Sequence, residues 1–305
     1  MKKIFYLMLT AALALTAQSA VSELHAAKTG STDTPLWMRY PNISPDGTKI
    51  AFSYQGDIYY VPAAGGEAVR LTSTEDYEYQ PVWSPDSRTV AFASDRFGGM
   101  DIFTVGIEGG KAVRLTTHSG TEAPLAFSPD GKYIYFSAAI QDPASSALWS
   151  GSWLTELYRV PVTGGRPEQI AANPICSVSF DTDGKSFLYY DRTGSENIWR
   201  KHHTSSVARN IFYYNAADGT HTQITVNPGE DRDPIFTAPG QMVFLSERDG
   251  GSFNVYSAAV DDAENATALT HFTPYVSSAA PTTAPSASAT MGRSTPSRPA
   301  LSPPR

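Results

Sequence analysis

The residues able to do chemistry are few and scattered. The chain carries six His and a single Cys, and only His202 and His203 are neighbours in sequence. Adjacent residues of a strand point to opposite faces, so that pair could ligate one ion only from a loop. The lone Cys176 excludes an internal disulfide framework, a Cys-based zinc site and an iron–sulfur cluster. No G-x-S-x-G elbow, H-E-x-x-H helix or phosphate-binding Gly loop occurs. No catalytic residue, metal or other cofactor is therefore expected.

What the sequence offers instead is recognition chemistry. Trp153, Arg200, His202 and His203 lie in two long irregular stretches, and aromatic and Arg side chains are those enriched where binding energy concentrates. Glu78, Glu122 and Asp231 lie in other, acidic connecting segments. If these segments share a face with the two stretches, they would form an acidic rim attracting a cationic group, such as a peptide amino terminus or a basic patch. The plainer alternative is solvated loop charge, with tryptophans packed on the fold beneath.

The elements that position these residues form a repeat. Ser44-Pro45-Asp46-Gly47, Ser84-Pro85-Asp86-Ser87, Ser128-Pro129-Asp130-Gly131, Asp181-Thr182-Asp183-Gly184 and Thr237-Ala238-Pro239-Gly240 recur with their third positions 40, 44, 53 and 56 residues apart. Pro presets φ for the turn, Asp bonds to nearby backbone, and Gly accepts positive φ. An apolar residue precedes each turn (Ile43, Trp83, Phe127, Phe180, Phe236) and an apolar run follows it. A polar residue with an apolar–aromatic pair comes next, as in Asp57-Ile58-Tyr59 and Asp101-Ile102-Phe103, then a second turn, as at Gly65-Gly66. Each unit closes on a pair such as Leu71-Thr72 or Leu115-Thr116.

Four short strands per unit at this period predict an all-β fold, a β-propeller with five recognisable blades and a sixth missing or incomplete. With the first turn joining strands one and two, and the second joining three and four, the remaining connections share the opposite face. The long stretches Ala138–Thr155 and Asp191–Arg209 then fall on one face, in neighbouring blades.

Composition sets the outer bounds. The 305 residues are 41% hydrophobic with a net charge of −7, which argues against nucleic-acid binding. Residues 1–27 read as a secretory signal: Lys2 and Lys3, an apolar run from Ile4 to Ala17, then small residues. That run is too short to span a membrane comfortably, so a periplasmic or secreted chain without a membrane span is expected. Residues 274–305, rich in Pro, Ser, Ala and Thr and without Asp or Glu, cannot bury a core and are expected to be disordered. They are either a linker or the out-of-frame product of a frameshift after about Thr273.

The unit resembles the blades of TolB and tricorn proteases, and more closely the first propeller of bacterial tricorn-protease homologues. Pro35-Leu36-Trp37-Met38-Arg39-Tyr40-Pro41, Ala51 to Tyr59, and Trp199-Arg200-Lys201-His202-His203-Thr204-Ser205-Ser206-Val207 carry the resemblance, which covers 35–273. It implies a non-catalytic propeller that gates or binds peptides for a peptidase core absent from this chain, with self-assembly as a further expectation. TolB fits less well, because a separate α/β domain precedes its propeller. A stand-alone, TolB-like protein-binding propeller is the alternative. A metal-dependent propeller lyase would need His converging on the axis, and here they are dispersed.

Overall fold

The computed structural model describes residues 37–140, 155–191, 208–249 and 252–272. The expectations for residues 1–27 and 274–305 lie outside that range, as do Trp153, Arg200, His202 and His203. The described residues form an all-β, five-bladed propeller. The first blade is β1 (Arg39–Ile43), β2 (Lys49–Tyr54), β3 (Asp57–Pro62) and β4 (Val69–Arg70). The second is β5 (Glu78–Trp83), β6 (Thr89–Ser94), β7 (Asp101–Gly106) and β8 (Val113–Arg114). The third is β9 (Glu122–Phe127), β10 (Tyr133–Ala138), β11 (Glu156–Pro161) and β12 (Glu168–Ala171). The fourth is β13 (Ser179–Phe180), β14 (Phe187–Tyr190), β15 (Ile211–Asn215) and β16 (Thr220–Gln223). The fifth is β17 (Asp231–Ala238), β18 (Gln241–Ser246), β19 (Asn254–Ala259) and β20 (Thr267–Ala268). Every sheet is an antiparallel meander in sequence order.

The repeated turn explains its own residues. Ser44 Oγ donates to Asp46 Oδ1 at 2.6 Å and accepts from the Lys49 amide at 2.9 Å, while Asp46 Oδ1 accepts from the Thr48 amide at 2.9 Å. Ser84 with Asp86 and Ser128 with Asp130 repeat the arrangement. The turn is thus closed by side chains as well as backbone, which fixes the register of the first two strands.

Strand alternation distributes the core between blades. Ala51 and Ile58 of the first blade pack with Trp83 and Phe92 of the second. Ala91 and Ile102 pack with Ile134 and Phe136 of the third, whereas Tyr135, between those two, turns the other way to Phe187 and Tyr189 of the fourth. Leu188 in turn faces Met242 and Phe244 of the fifth. Each of these four junctions holds a cluster. Among the described residues none joins the fifth blade to the first, and Ile43, Leu269 and Phe272 are exposed.

A polar clasp recurs at the blade junctions. Thr72, Thr116 and Thr225 each accept the amide of an Ile in the third strand of their own blade, Ile58, Ile102 and Ile211, at 2.9, 2.8 and 3.0 Å. Each also bonds to the acid six residues on, Glu78, Glu122 or Asp231, which opens the next blade. The third blade ends in Ala171 instead, and its successor carries Ser177 where the acid would stand.

Candidate functional site

The innermost strands surround a cavity of about 790 Å³ on the axis, to which all five blades contribute. Its wall is shaped by an unusual backbone. Tyr40, Gln80 and Asp233 have left-handed φ of 52, 57 and 53°, and each precedes a proline, Pro41, Pro81 or Pro234. Pairing slips at each of these points, between Arg39 and Asn42, Tyr79 and Val82, and Arg232 and Ile235. A bulge turns the strand and re-aims its side chains, and proline removes a donor from the inner edge. Non-glycine residues held in this region cost about 1–3 kcal/mol each, and such strain concentrates at functional sites. Gln80 Nε2 donates to the Pro124 carbonyl of the next blade at 2.8 Å, which helps hold the bulge.

The prolines were visible in the sequence. Pro41, Pro81, Pro124 and Pro234 all lie five or six residues before the third position of the following turn. That periodic mark went unused in the sequence reading, and it is the signal by which the cavity wall could have been found.

The cavity is also flanked by the roots of both long connections. Ala139 and Thr155 border it from the third blade, and Tyr190 and Arg209 from the fourth. The charged groups lining it are Arg209, Arg232 and Asp233. Arg209 is nearly buried and pairs with Glu230. Arg232 Nε stands 3.5 Å from Asp233, and its guanidinium covers the Phe253 ring at 4.2 Å. Tyr40 and Tyr79 bring their rings to 5.4 Å at the first two blades. Burial pushes the Tyr79 hydroxyl up to about 12, so it stays a neutral donor.

The acidic rim is corrected by the structure. Glu78, Glu122 and Asp231 are the first residues of β5, β9 and β17, and all three are fully buried. Burial raises the carboxyl of each. Glu78 is met by Arg96 and by Thr74 Oγ1 at 3.2 Å; Asp231 accepts from Asn227 and lies 3.8 Å from Arg248. They hold blades together rather than presenting charge to solvent. The physical reason is the threonine clasp, which draws each acid under the preceding blade. Among the described residues, no group of three or more His, Cys, Asp and Glu could hold a metal ion.

With this geometry in hand, the comparisons with known proteins decide the family. Residues 35–285 match the tricorn protease N-terminal beta propeller domain. The chain belongs to that family. Tricorn protease homolog 1 of Streptomyces coelicolor is 25% identical over 230 residues, 75% of this chain and 20% of that protein. A TolB homolog of Chlorobium chlorochromatii is 37% identical over 87 residues, 28% of this chain and 19% of its own length. Among solved structures, the tricorn protease superposes with a TM-score of 0.64 at 21% identity, over 79% of this chain and 23% of that one. The putative TolB of Agrobacterium tumefaciens gives 0.59 at 20% identity, over 78% and 82%. Both structures share the fold. The chain spans a fifth or less of the curated relatives it matches. Among the described residues, no helix is long and apolar enough to cross a membrane.

Proposed function

We propose that this chain is the non-catalytic propeller portion of an exported, tricorn-like serine peptidase, and that its axial cavity binds or passes peptides for a catalytic core encoded elsewhere. The observation that carries this reading is the cavity itself: four inner strands and the segment leading into the fourth blade line it, three strained X-Pro bulges shape it, and both long connections are rooted at its border. On this reading Trp153, Arg200, His202 and His203, carried by those connections, contact the peptide. Arg209, Arg232 and Asp233 replace the acidic rim as the charges a peptide meets.

The test has two parts. Fluorescence anisotropy with labelled, unstructured peptides of about ten residues measures binding to the purified chain; Trp153→Ala and Arg200→Ala should each weaken it at least about tenfold, the loss of roughly 1.4 kcal/mol. Binding that neither substitution changes would overturn the assignment of those residues. Sequencing the locus from about codon 265 in all three frames tests the parentage. A peptidase core resuming in a shifted frame supports it, whereas its absence favours the stand-alone, TolB-like protein-binding propeller.

A further inference from the structure

Three junctions use the same clasp, and one of them lacks a part. The second strand ends in Ser-x-Arg in the second and fifth blades, Ser94-Asp95-Arg96 and Ser246-Glu247-Arg248. In register, Glu78 stands opposite Ser94 and Asp231 opposite Ser246, with Arg96 and Arg248 reaching back to the acids. In the third blade Glu122 stands opposite Ala138, and Ile140 occupies the arginine position. Glu122 has therefore lost both the hydroxyl and the cation that its counterparts keep.

Its other neighbours do not replace them. Glu122 accepts from Thr116, while its second oxygen is shielded from solvent and has no hydrogen-bond partner. Asp101 of β7, fully buried, is the nearby carboxylate, and Arg114 of β8 lies 2.7 Å from Asp101. His118, in the connection before β9, acts on Asp101. One arginine thus serves two buried carboxyl groups. At the corresponding position beside Asp231 the fourth blade has the neutral Asn210.

We propose that Glu122 is a proton-operated latch between the second and third blades. Protonated, it is a neutral group that closes the junction against Thr116 and Asp101. Ionised, it sets a second buried negative charge beside Asp101 and loosens the start of β9. That start is cavity wall: Gly120, Thr121 and Ala123 on either side of Glu122 all line the axial cavity. The latch stands whether or not the cavity binds peptides.

The electrostatic surroundings agree with the geometry. Burial pushes the Glu122 carboxyl up, Thr116 opposes, the charge on Asp101 adds to the rise, and Arg114 and the Ile102 backbone amide oppose, leaving it at about 7. In the unfolded chain it titrates near 4.5. Between these values the folded protein holds the extra proton, so stability is full below the lower value and is lost as pH rises through the upper one.

Two measurements decide it. Thermal melts from about pH 5 to about pH 8 should show the wild-type midpoint falling by on the order of 5 °C more than that of Glu122→Gln, which has no proton to lose. The carbon-13 resonance of the Glu122 carboxyl should titrate near neutrality in the wild type and move toward the ordinary carboxylate range in Ala138→Ser/Ile140→Arg, which restores the sister motif. Wild-type titration in the ordinary range, or Glu122→Gln melts parallel to wild type across the window, would overturn the latch. If Glu122→Gln does not fold, the resonance alone decides.

Discussion

The indole nitrogen of Trp83 donates to the carbonyl of Asn42 at 2.9 Å, and so ties the inner strand of the second blade to that of the first. Trp83 is buried in the cluster with Ala51, Ile58 and Phe92, and its ring meets the edge of Tyr60 at 6.4 Å. Trp83→Phe keeps most of the packing and leaves the Asn42 carbonyl without its donor, so it should cost about 1–3 kcal/mol. Trp83→Ala adds a large cavity and should cost about 3–5 kcal/mol. Urea unfolding of the two variants gives both numbers.

Ser87 occupies the turn position that glycine takes at 47, 131 and 184, and it holds a left-handed φ of 59°. Its hydroxyl accepts the Asp46 amide of the preceding blade at 3.1 Å, which offsets the backbone cost. Ser87→Gly relieves strain of about 1–3 kcal/mol and loses a hydrogen bond of about 0.5–1.5 kcal/mol, so it should be neutral to mildly stabilising. Ser87→Ala loses the bond and keeps the strain, and should destabilise by about 1 kcal/mol. The same denaturation assay separates them.

Thr225 serves two partners at once, the Ile211 amide at 3.0 Å and the Asp231 carboxyl. Thr225→Val keeps the shape and strands both, and should destabilise by about 1–3 kcal/mol. Thr225→Ser should recover most of the loss. A result in which Val and Ser behave alike would mean that the clasp contributes only packing.

The exposed turn carboxylates should set part of the acid limit. The hydroxyls of Ser44 and Ser128, then the amides of Thr48 and Lys132, hold Asp46 and Asp130 down at about 2. Their folded values are depressed, so their contribution is present above about pH 4 and is lost as pH falls toward about 2. The double variant Asp46→Asn/Asp130→Asn should therefore show a shallower loss of melting temperature across that window. Its profile above about pH 5 should keep the wild-type shape, because both carboxylates are fully ionised there.

The blade repeat was legible because its information is local. Ser44, Asp46 and Lys49 satisfy one another within six residues, and the alternation of Ile134, Tyr135 and Phe136 assigns two faces with no knowledge of their neighbours. The same local logic placed the two long connections in neighbouring blades on one face, and their roots border one cavity. The inner-wall prolines were equally visible, but their meaning needed the bulge that Tyr40, Gln80 and Asp233 make.

The sequence by itself determined the strands, their turns and their order, since each depends on residues a few positions apart. Only the tertiary structure decided the state of the acids. Glu78, Glu122 and Asp231 look alike in the chain, as carboxylates in polar connecting segments. Their burial comes from a threonine of the preceding blade, and their charge balance from whether Arg96, Arg248 or Ile140 stands beside them. A carboxylate's ionisation is set by the solvent it loses and the charges it gains, and both are fixed when blades stack.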